Sequence, residues 1–540
     1  MVEVTTNNFN QLLPGILSDI KSSSFVALDT EFTGLLADAA FKGSLFDDGP
    51  KRYQKLVSNI RRFTICQLGL AIFKGVPDAN AYTVTSYNFY LRPHSCISFD
   101  PTFLCQTSSI EFLQKYKFDF NKWLYSGIGC MNSDEMEQLR SELFSLVRGS
   151  QAFRIPYLVQ DQLSIIGEWG AKANEGETTI PSDDIDVTSQ VILVVSIRSR
   201  FPDLWAALDN RQVIIQKVSA LERARLEAQD PEGKEFVETV VRSMLGFTSV
   251  FRCLADHQKP LVLHNCLLDL MLIYKQLHQN LPTSYDMFKS NLHEMFPIIY
   301  DTKFIASELK ILYREKDEKV RNLINNTGLV ELHSSLKREM PVLYQPSLKH
   351  CPPDNKYSGN ETLPHEAGYD AFLTGGCFLT MAHVHAMLQM SSLSQQRPMS
   401  PREHVYALKS LANCVQIQRA AIPYMELAGQ DPKSKRPPWL LVEGRTRSAL
   451  VTPGSVSIAL AQYGHLDVVP RNANSVLVAT SSWSCTRDIF TNLAKDSHLK
   501  VKFYNRLRHS PFVRTLAWSG ALISTGLSAW IVYSTLKKPS

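Results

Sequence analysis

The stretch Ser24-Phe25-Val26-Ala27-Leu28-Asp29-Thr30-Glu31-Phe32 decides how this chain is read. Four mostly apolar residues predict a buried strand, and the strand ends in two acids one residue apart. Residues i and i+2 of a strand leave the same face, so Asp29 and Glu31 point together. Two carboxylates converging at the end of a buried strand are costly to hold unless something positive lies between them, and a divalent cation is the usual partner. Alone, Asp-x-Glu is also what a strand running out into a polar turn produces. Further donors must come from elsewhere in the chain.

Two other places supply them. Lys259-Pro-Leu-Val-Leu-His-Asn-Cys-Leu-Leu-Asp269 reads as a short strand at 261–263 and a helix that begins at Asn265 and carries Asp269. Leu363-Pro-His-Glu-Ala-Gly-Tyr-Asp370 opens a helix that continues to Gln389, with His365 five residues ahead of Asp370. Asp29, Glu31, Asp269 and Asp370 offer the oxygen donors that two hard divalent ions need from several directions. His365 is expected to reach in from outside this cluster and take a proton from the attacking water, since imidazole titrates near neutrality. His264 is read as ordering the local backbone. Asp301, ending a strand over 296–303, is read as a strand cap or a partner behind the site, and Cys266 and Cys377 as core thiols.

Around these motifs the periodicity predicts a helix over 8–21, strands over 62–73 and 81–91, and an amphipathic helix over 108–125. Three strands after one helix suggest the meander half of a mixed sheet. Residues 170–187 read as a polar loop, and 194–228 as a small helical insertion carrying basic residues. After a polar linker at 344–362 and a break at 391–402, the order strand, helix, strand, strand, helix, strand over 439–503 is that of a ferredoxin-like RNA-recognition module. Its third strand, Ser475-Val-Leu-Val-Ala-Thr480, lacks the aromatic residues on which bases stack. Packing or dimerisation is the alternative role for it.

At 540 residues roughly three domains are expected. Charged residues at 20% and apolar ones at 44% exclude a disordered chain, and a net charge of +5 permits a polyanionic partner without requiring one. The ten cysteines show no C-x-x-C pair and read as reduced thiols facing the cytosol. Residues 1–24 show no secretory signal. Thr515–Leu536, in contrast, is uncharged and spans about 33 Å as a helix, enough for a bilayer core. Arg506, Arg508 and Arg514 precede it, Lys537 and Lys538 follow, and Trp518, Trp530 and Tyr533 lie toward its ends. This predicts a tail anchor with the body in the cytosol, at the mitochondrial outer membrane or the endoplasmic reticulum. Gly520, Ser524 and Ser528 form a stripe that lets two such helices approach, as in a homodimer.

Asp29-Thr-Glu31, His264-Asn-Cys-Leu-Leu-Asp269 and His365-Glu-Ala-Gly-Tyr-Asp370 together resemble the three motifs of DEDD exonucleases in their histidine-bearing form. Ser108-Ser-Ile-Glu-Phe-Leu113, Phe118-Asp-Phe-Asn-Lys122 and Asp301-Thr-Lys303 are similar to the poly(A)-specific ribonuclease family, over residues 1–390. The carboxy-terminal helix is more similar to the membrane-anchored members that trim piRNA precursors, and residues 151–245 do not match the deadenylase's single-strand-binding module. The resemblance implies an α/β, ribonuclease-H-like mixed sheet and two Mg2+ ions held by Asp29, Glu31, Asp269 and Asp370, with His365 completing the catalytic set. It also implies 3′-to-5′ removal of nucleoside 5′-monophosphates from single-stranded RNA. The implied partners are a PIWI protein holding the piRNA precursor, a Tudor-domain adaptor and a second copy of the chain. The expected layout is a nuclease domain in two parts (1–150 and 246–392) interrupted by a helical, basic insertion (151–245). A degenerate RNA-recognition-like domain (403–508) and a transmembrane segment (515–536) follow. A poly(A) deadenylase and an inert membrane-tethered RNA-binding scaffold stay open as alternatives.

Overall fold

Phe25, Val26, Ala27 and Leu28 are withdrawn from solvent, and the strand they begin lies inside a seven-stranded mixed sheet. The computed structural model describes residues 1–77, 79–97, 99–149, 155–181, 185–209, 212–337, 342–351, 364–390, 396–446, 450–493, 498–505 and 511–536. Leu363, Arg506, Arg508, Lys537, Lys538 and most of the expected 344–362 linker lie outside the described residues. Two compact units are present. The first comprises Met1–Lys42, Tyr53–Ile417 and Tyr424–Gln430, and the second Gly43–Arg52, Gln418–Pro423 and Asp431–Ser540.

The strands of the first unit's large sheet are β1 (Val2–Val4), β2 (Phe25–Phe32), β3 (Ile65–Gly75), β4 (Ala81–Tyr90), β5 (Leu261–Leu263), β6 (Ile299–Asp301) and β7 (Ser347–His350). They lie in the order β1-β4-β3-β2-β5-β6, with β7 also paired to β4. β2, β3 and β4 form the antiparallel meander, while β5 runs parallel to β2 and β6 parallel to β5. β2, β5 and β6 therefore end on one side of the sheet, where a crevice outside parallel strand ends is the usual ligand site. This is the mixed α/β sheet expected from the sequence.

Helices α1 (Phe9–Ser22), α2 (Thr107–Lys115), α3 (Leu267–Ile273) and α4 (Ala367–Gln389) flank the sheet. α4 is long and apolar enough to cross a bilayer, yet 72% of its apolar window is buried, so it serves as the central core helix. Phe25 stacks on Phe73 at 4.5 Å and meets Phe378 of α4 edge-on at 5.2 Å. The start of α4 presses on β3 at Gly69, where a Cβ would sit 1.9 Å from the Ala367 carbonyl oxygen.

Several local expectations are revised. The helix expected over 108–125 is two helices, Thr107–Lys115 and Phe120–Ser126, because Lys117 takes φ 60° and Asp119 caps the second by accepting from the Lys122 N–H at 2.8 Å. A helix not expected from the sequence covers Gly49–Ile60. Its buried residues Tyr53, Leu56 and Ile60 recur at helical spacing among polar neighbours.

The insertion is not purely helical either. After helix Val187–Arg200 come antiparallel strands Leu204–Asp209 and Gln212–Lys217, which with Thr178–Thr179 make a three-stranded sheet. Its arginines serve the fold. Arg198 lies over the Trp205 ring at 4.0 Å and donates to the Ala206 carbonyl, while Arg223 donates to the carbonyls of Phe201, Leu204 and Arg198.

The second domain was expected from 403, but residues 403–417 and 424–430 belong to the first unit, where Cys414–Gln416 and Tyr424–Glu426 pair with each other. In the second unit, strands Leu440–Gly444, Leu466–Asn472, Ser475–Thr480 and Leu499–Phe503 alternate with helices Pro453–Leu460 and Trp483–Leu493 in the expected order. The sheet is antiparallel throughout, with the first and third strands central. Leu440, Val442, Val476 and Val478 pack with the two helices. Leu441, on the opposite face, is buried as well. On that face Asp467 accepts from the Leu45 N–H at 2.7 Å and pairs with Arg419, and Phe46 meets Trp439 edge-on at 4.9 Å. Pro511–Leu536 is one helix, and Leu522, Ile523, Leu527, Trp530 and Ile531 on it are exposed.

Gly69→Ala is expected to destabilise the protein by about 1–3 kcal/mol, the usual cost of overpacking. Gly15→Ala in α1, with nothing within 4 Å, is expected to be neutral or stabilising. Denaturant midpoints of the two variants check this.

Candidate active site

β2 alternates, so Asp29 and Glu31 share the face of Ala27 and Phe25, which is the face α4 covers. α4 brings Asp370 in its first turn and His365 just before it. Ligand atoms of Glu31, His365 and Asp370 lie within 4.8 Å of one another. Asp269, from α3, is tied to β2 from the side, its Oδ1 accepting from the Thr30 hydroxyl at 2.6 Å. The structure thus brings Glu31, His365 and Asp370 together, with Asp29 and Asp269 near enough for their charges to act on one another and on this group. The imidazole lies within the cluster rather than outside it.

Two features hold the imidazole. Its backbone takes φ 66°, an uncommon conformation for a residue other than glycine, and its N–H donates to Oδ2 of Asp370 at 2.9 Å. Its ring is packed edge-on by Phe112 at 4.7 Å and tilted against Tyr116 at 4.1 Å, both from α2 and the turn that ends it. Beside them a cleft of about 210 Å³ opens, lined by Glu31, Phe32, Leu35, Gln106 and Phe112.

Burial pushes the Asp29 carboxyl well above its ordinary range, and Asp370, Asp269 and Glu31 push it further. Burial does the same to Glu31, with Asp370 and Asp269 adding to it. Burial raises Asp370 to about 7, against the His365 N–H that favours its charge. Asp269 is raised to about 6 by burial, offset in part by Thr30. The His365 imidazole is lowered by burial and by Lys115, so it stands neutral and able to accept a proton. Oδ1 of Asp370 is buried without a hydrogen-bond partner among the described residues. Crowded carboxylates with an unpaired buried oxygen fit a hard divalent cation.

A model of the CAF1 family ribonuclease matches residues 4–378, which hold all five of these residues. The chain belongs to the CAF1 family of ribonucleases. Nucleases of this family depend on metal, and the chain is a 3′-to-5′ exoribonuclease of the CAF1 and poly(A)-specific type. The mouse protein named poly(A)-specific ribonuclease PNLDC1 is 31% identical over 97% of this chain and 98% of its own. The Bombyx mori pre-piRNA 3′-exonuclease trimmer is 28% identical over 99% of both chains. Human poly(A)-specific ribonuclease PARN is 31% identical over 81% of this chain and 70% of its own.

Asp301 is completely buried and accepts from the N–H groups of Asn265, Cys266, Lys303, Phe304 and Gln416 at 2.8–3.4 Å. It therefore caps the helix Thr302–Leu312 and closes the turn between β5 and α3 that delivers Asp269. His264 is engaged by the Thr302 hydroxyl at 2.9 Å, and that hydroxyl also lies 3.1 Å from the Leu263 carbonyl oxygen. Tyr116 was not singled out from the sequence, since nothing in its local pattern points to residue 365.

An acid whose native pKa lies above its unfolded value binds protons more tightly when folded, so ionising it weakens folding. The metal-free protein is therefore expected to lose stability as pH rises from about 4, the ordinary carboxyl range, through about 7. Divalent metal should raise Tm most at the upper end. Melting curves with chelator and with metal across that range check the sign, and a flat metal-free profile would contradict it.

Proposed function

We propose that this protein trims the 3′ ends of piRNA precursors held by a PIWI protein, using Mg2+, while tethered to an organelle membrane. The observation that carries this reading is the alignment with the Bombyx trimmer over 99% of both chains, where human PARN accounts for 81% of this one. A Tudor-type adaptor and a homodimer belong to the same reading.

Asp29, Glu31, Asp269 and Asp370 would hold the ions, Asp370 through the oxygen that has no other partner. Bound divalent cations supply Lewis acidity to the attacking water and to the departing 3′ oxygen. The cleft beside Glu31 and Phe112 receives the terminal nucleotide. His365, neutral and pinned by Phe112 and Tyr116, accepts the proton of the attacking water at a ring nitrogen. A nucleoside 5′-monophosphate leaves, and the RNA keeps a new 3′ hydroxyl for the next cycle.

The second unit is assigned a packing role rather than base stacking. Its third strand carries no aromatic side chain, and Leu45, Phe46 and Trp439 occupy the face on which bases would lie. The helix Pro511–Leu536 exposes large apolar side chains in a continuous run, which suits lipid better than water. Basic residues on both sides favour the mitochondrial outer membrane over the endoplasmic reticulum.

End-labelled RNAs of mixed sequence and of poly(A) test the substrate. Mixed-sequence RNA is expected to shorten stepwise from its 3′ end with Mg2+, and chelation or an Asp29→Ala, Glu31→Ala double substitution to reduce the rate at least about a hundredfold. Shortening of poly(A) alone would favour a deadenylase. For the anchor, the full chain is expected to co-sediment with phospholipid vesicles and residues 1–510 to stay in solution. Equal partition of the two would remove the membrane tether.

A further inference from the structure

A helix leaves its first N–H groups without partners inside the helix. At α4 those groups belong to the turn that carries Asp370 and follows His365. Glu366, in the cap position, makes no side-chain bond to them. The sheet supplies the acceptors instead. The Ala367 N–H donates to Oε1 of Gln67 at 3.0 Å, and the Gly368 N–H donates to Oδ1 of Asn88 at 3.1 Å. Asn88 also donates from Nδ2 to Glu366 Oε1 at 3.4 Å. Both amides are buried, and Gln67 is hydrogen-bonded to Tyr90 as well.

The register makes this more than a generic cap. Gln67 on β3 lies directly opposite Glu31 on β2, and Asn88 on β4 lies directly opposite Gly69 on β3. Gly69 is the residue whose missing side chain admits the Ala367 carbonyl. Gln67 thus stands between Glu31 and the start of α4.

Acids are the favoured side chains near a helix N-terminus, because its dipole attracts negative charge. Here both caps are neutral amides. A carboxylate at either place would keep an acceptor but add a further negative charge beside Asp29, Glu31, Asp269, Glu366 and Asp370. Glutamine and asparagine accept from the helix without that charge.

We propose that Gln67 and Asn88 are positioning residues for hydrolysis. They fix the first turn of α4 against the sheet, and through it the placement of Asp370 and His365 relative to Glu31. The inference rests on the exoribonuclease reading of the site and acts on the same reaction.

The test compares Gln67→Ala, Asn88→Ala and the space-filling Gln67→Met with Ser86→Ala. Ser86 lies on the same strand as Asn88, and its buried hydroxyl has no partner. On single-stranded RNA with saturating Mg2+, kcat is expected to fall about 10- to 100-fold in the first three, with KM changed by less than about threefold. Ser86→Ala should match the unaltered protein. Combined with His365→Ala, the Gln67 substitution should cost less than the product of the two separate losses. A Mn2+ titration followed by electron paramagnetic resonance, which needs no turnover, should show several-fold weaker binding in Gln67→Met.

A kcat within twofold of the unaltered protein, losses that multiply with His365→Ala, or unchanged Mn2+ affinity would each overturn the positioning role. An unaltered protein that shortens no RNA would overturn the exoribonuclease reading instead, and the Mn2+ titration would still decide the role of Gln67.

Discussion

Mutual repulsion among Asp29, Glu31, Asp269 and Asp370 is the constraint on which the rest of this structure depends. Two unit charges about 4 Å apart repel by about 4 kcal/mol at the effective dielectric of a protein interior. Several carboxylates brought together out of water therefore either take up protons or share a cation. Burial raises the carboxyl pKa of all four, and at Asp29 and Glu31 the neighbouring acids raise it further, so protons are held there when metal is absent. The surroundings do little to relieve it. Thr30 offers one hydroxyl to Asp269 and the His365 backbone one N–H to Asp370, and among the described residues no arginine or lysine bonds to any of the four. A basic side chain there would stabilise the fold and spoil the site, since it would take the place a metal needs.

The scaffold can afford such a site because everything immediately behind it is tightly bound. α4 is buried along its length, and Asp301 gathers backbone N–H groups from the β5–α3 turn, from the helix it caps and from Gln416. Asp301 and the catalytic acids are chemically alike and behave oppositely. Five N–H donors satisfy Asp301 where it stands. Asp370 keeps one oxygen without a partner, facing the cluster.

What the sequence made legible follows the range of the interaction involved. Asp29 and Glu31 could be paired because a strand has a period of two, and Asp269 and Asp370 because each lies in the first turn of a recognisable helix. The order of elements in the second unit was legible for the same reason. Contacts that close across long stretches of chain were not. Tyr116 meets His365 and Gln67 meets Ala367 through tertiary packing, and neither residue departs from an ordinary helix end or strand. The helix Gly49–Ile60 was hidden by its Gly-Pro start and polar composition, since only Tyr53, Leu56 and Ile60 mark its one buried side. In the insertion, two of the basic residues are used by the hairpin itself, Arg198 over Trp205 and Arg223 on three carbonyls.

The second unit shows why element order alone cannot decide what a sheet binds. Its strands and helices follow the order that RNA-recognition modules share, yet Gly43–Arg52, nearly four hundred residues earlier in the chain, supplies Leu45 and Phe46 to the open face. That face is covered, and the third strand beneath it carries no aromatic side chain on which a base could stack. In the nuclease unit, the chemistry acts on phosphate and sugar, which are the same at every nucleotide, and each cycle leaves a new 3′ end equivalent to the last. Such a site contains no stop signal. In the proposed reading the stop lies outside it, in the protein that holds the 5′ part of the RNA, because the reaction ends where the remaining 3′ segment becomes too short to reach the carboxylates.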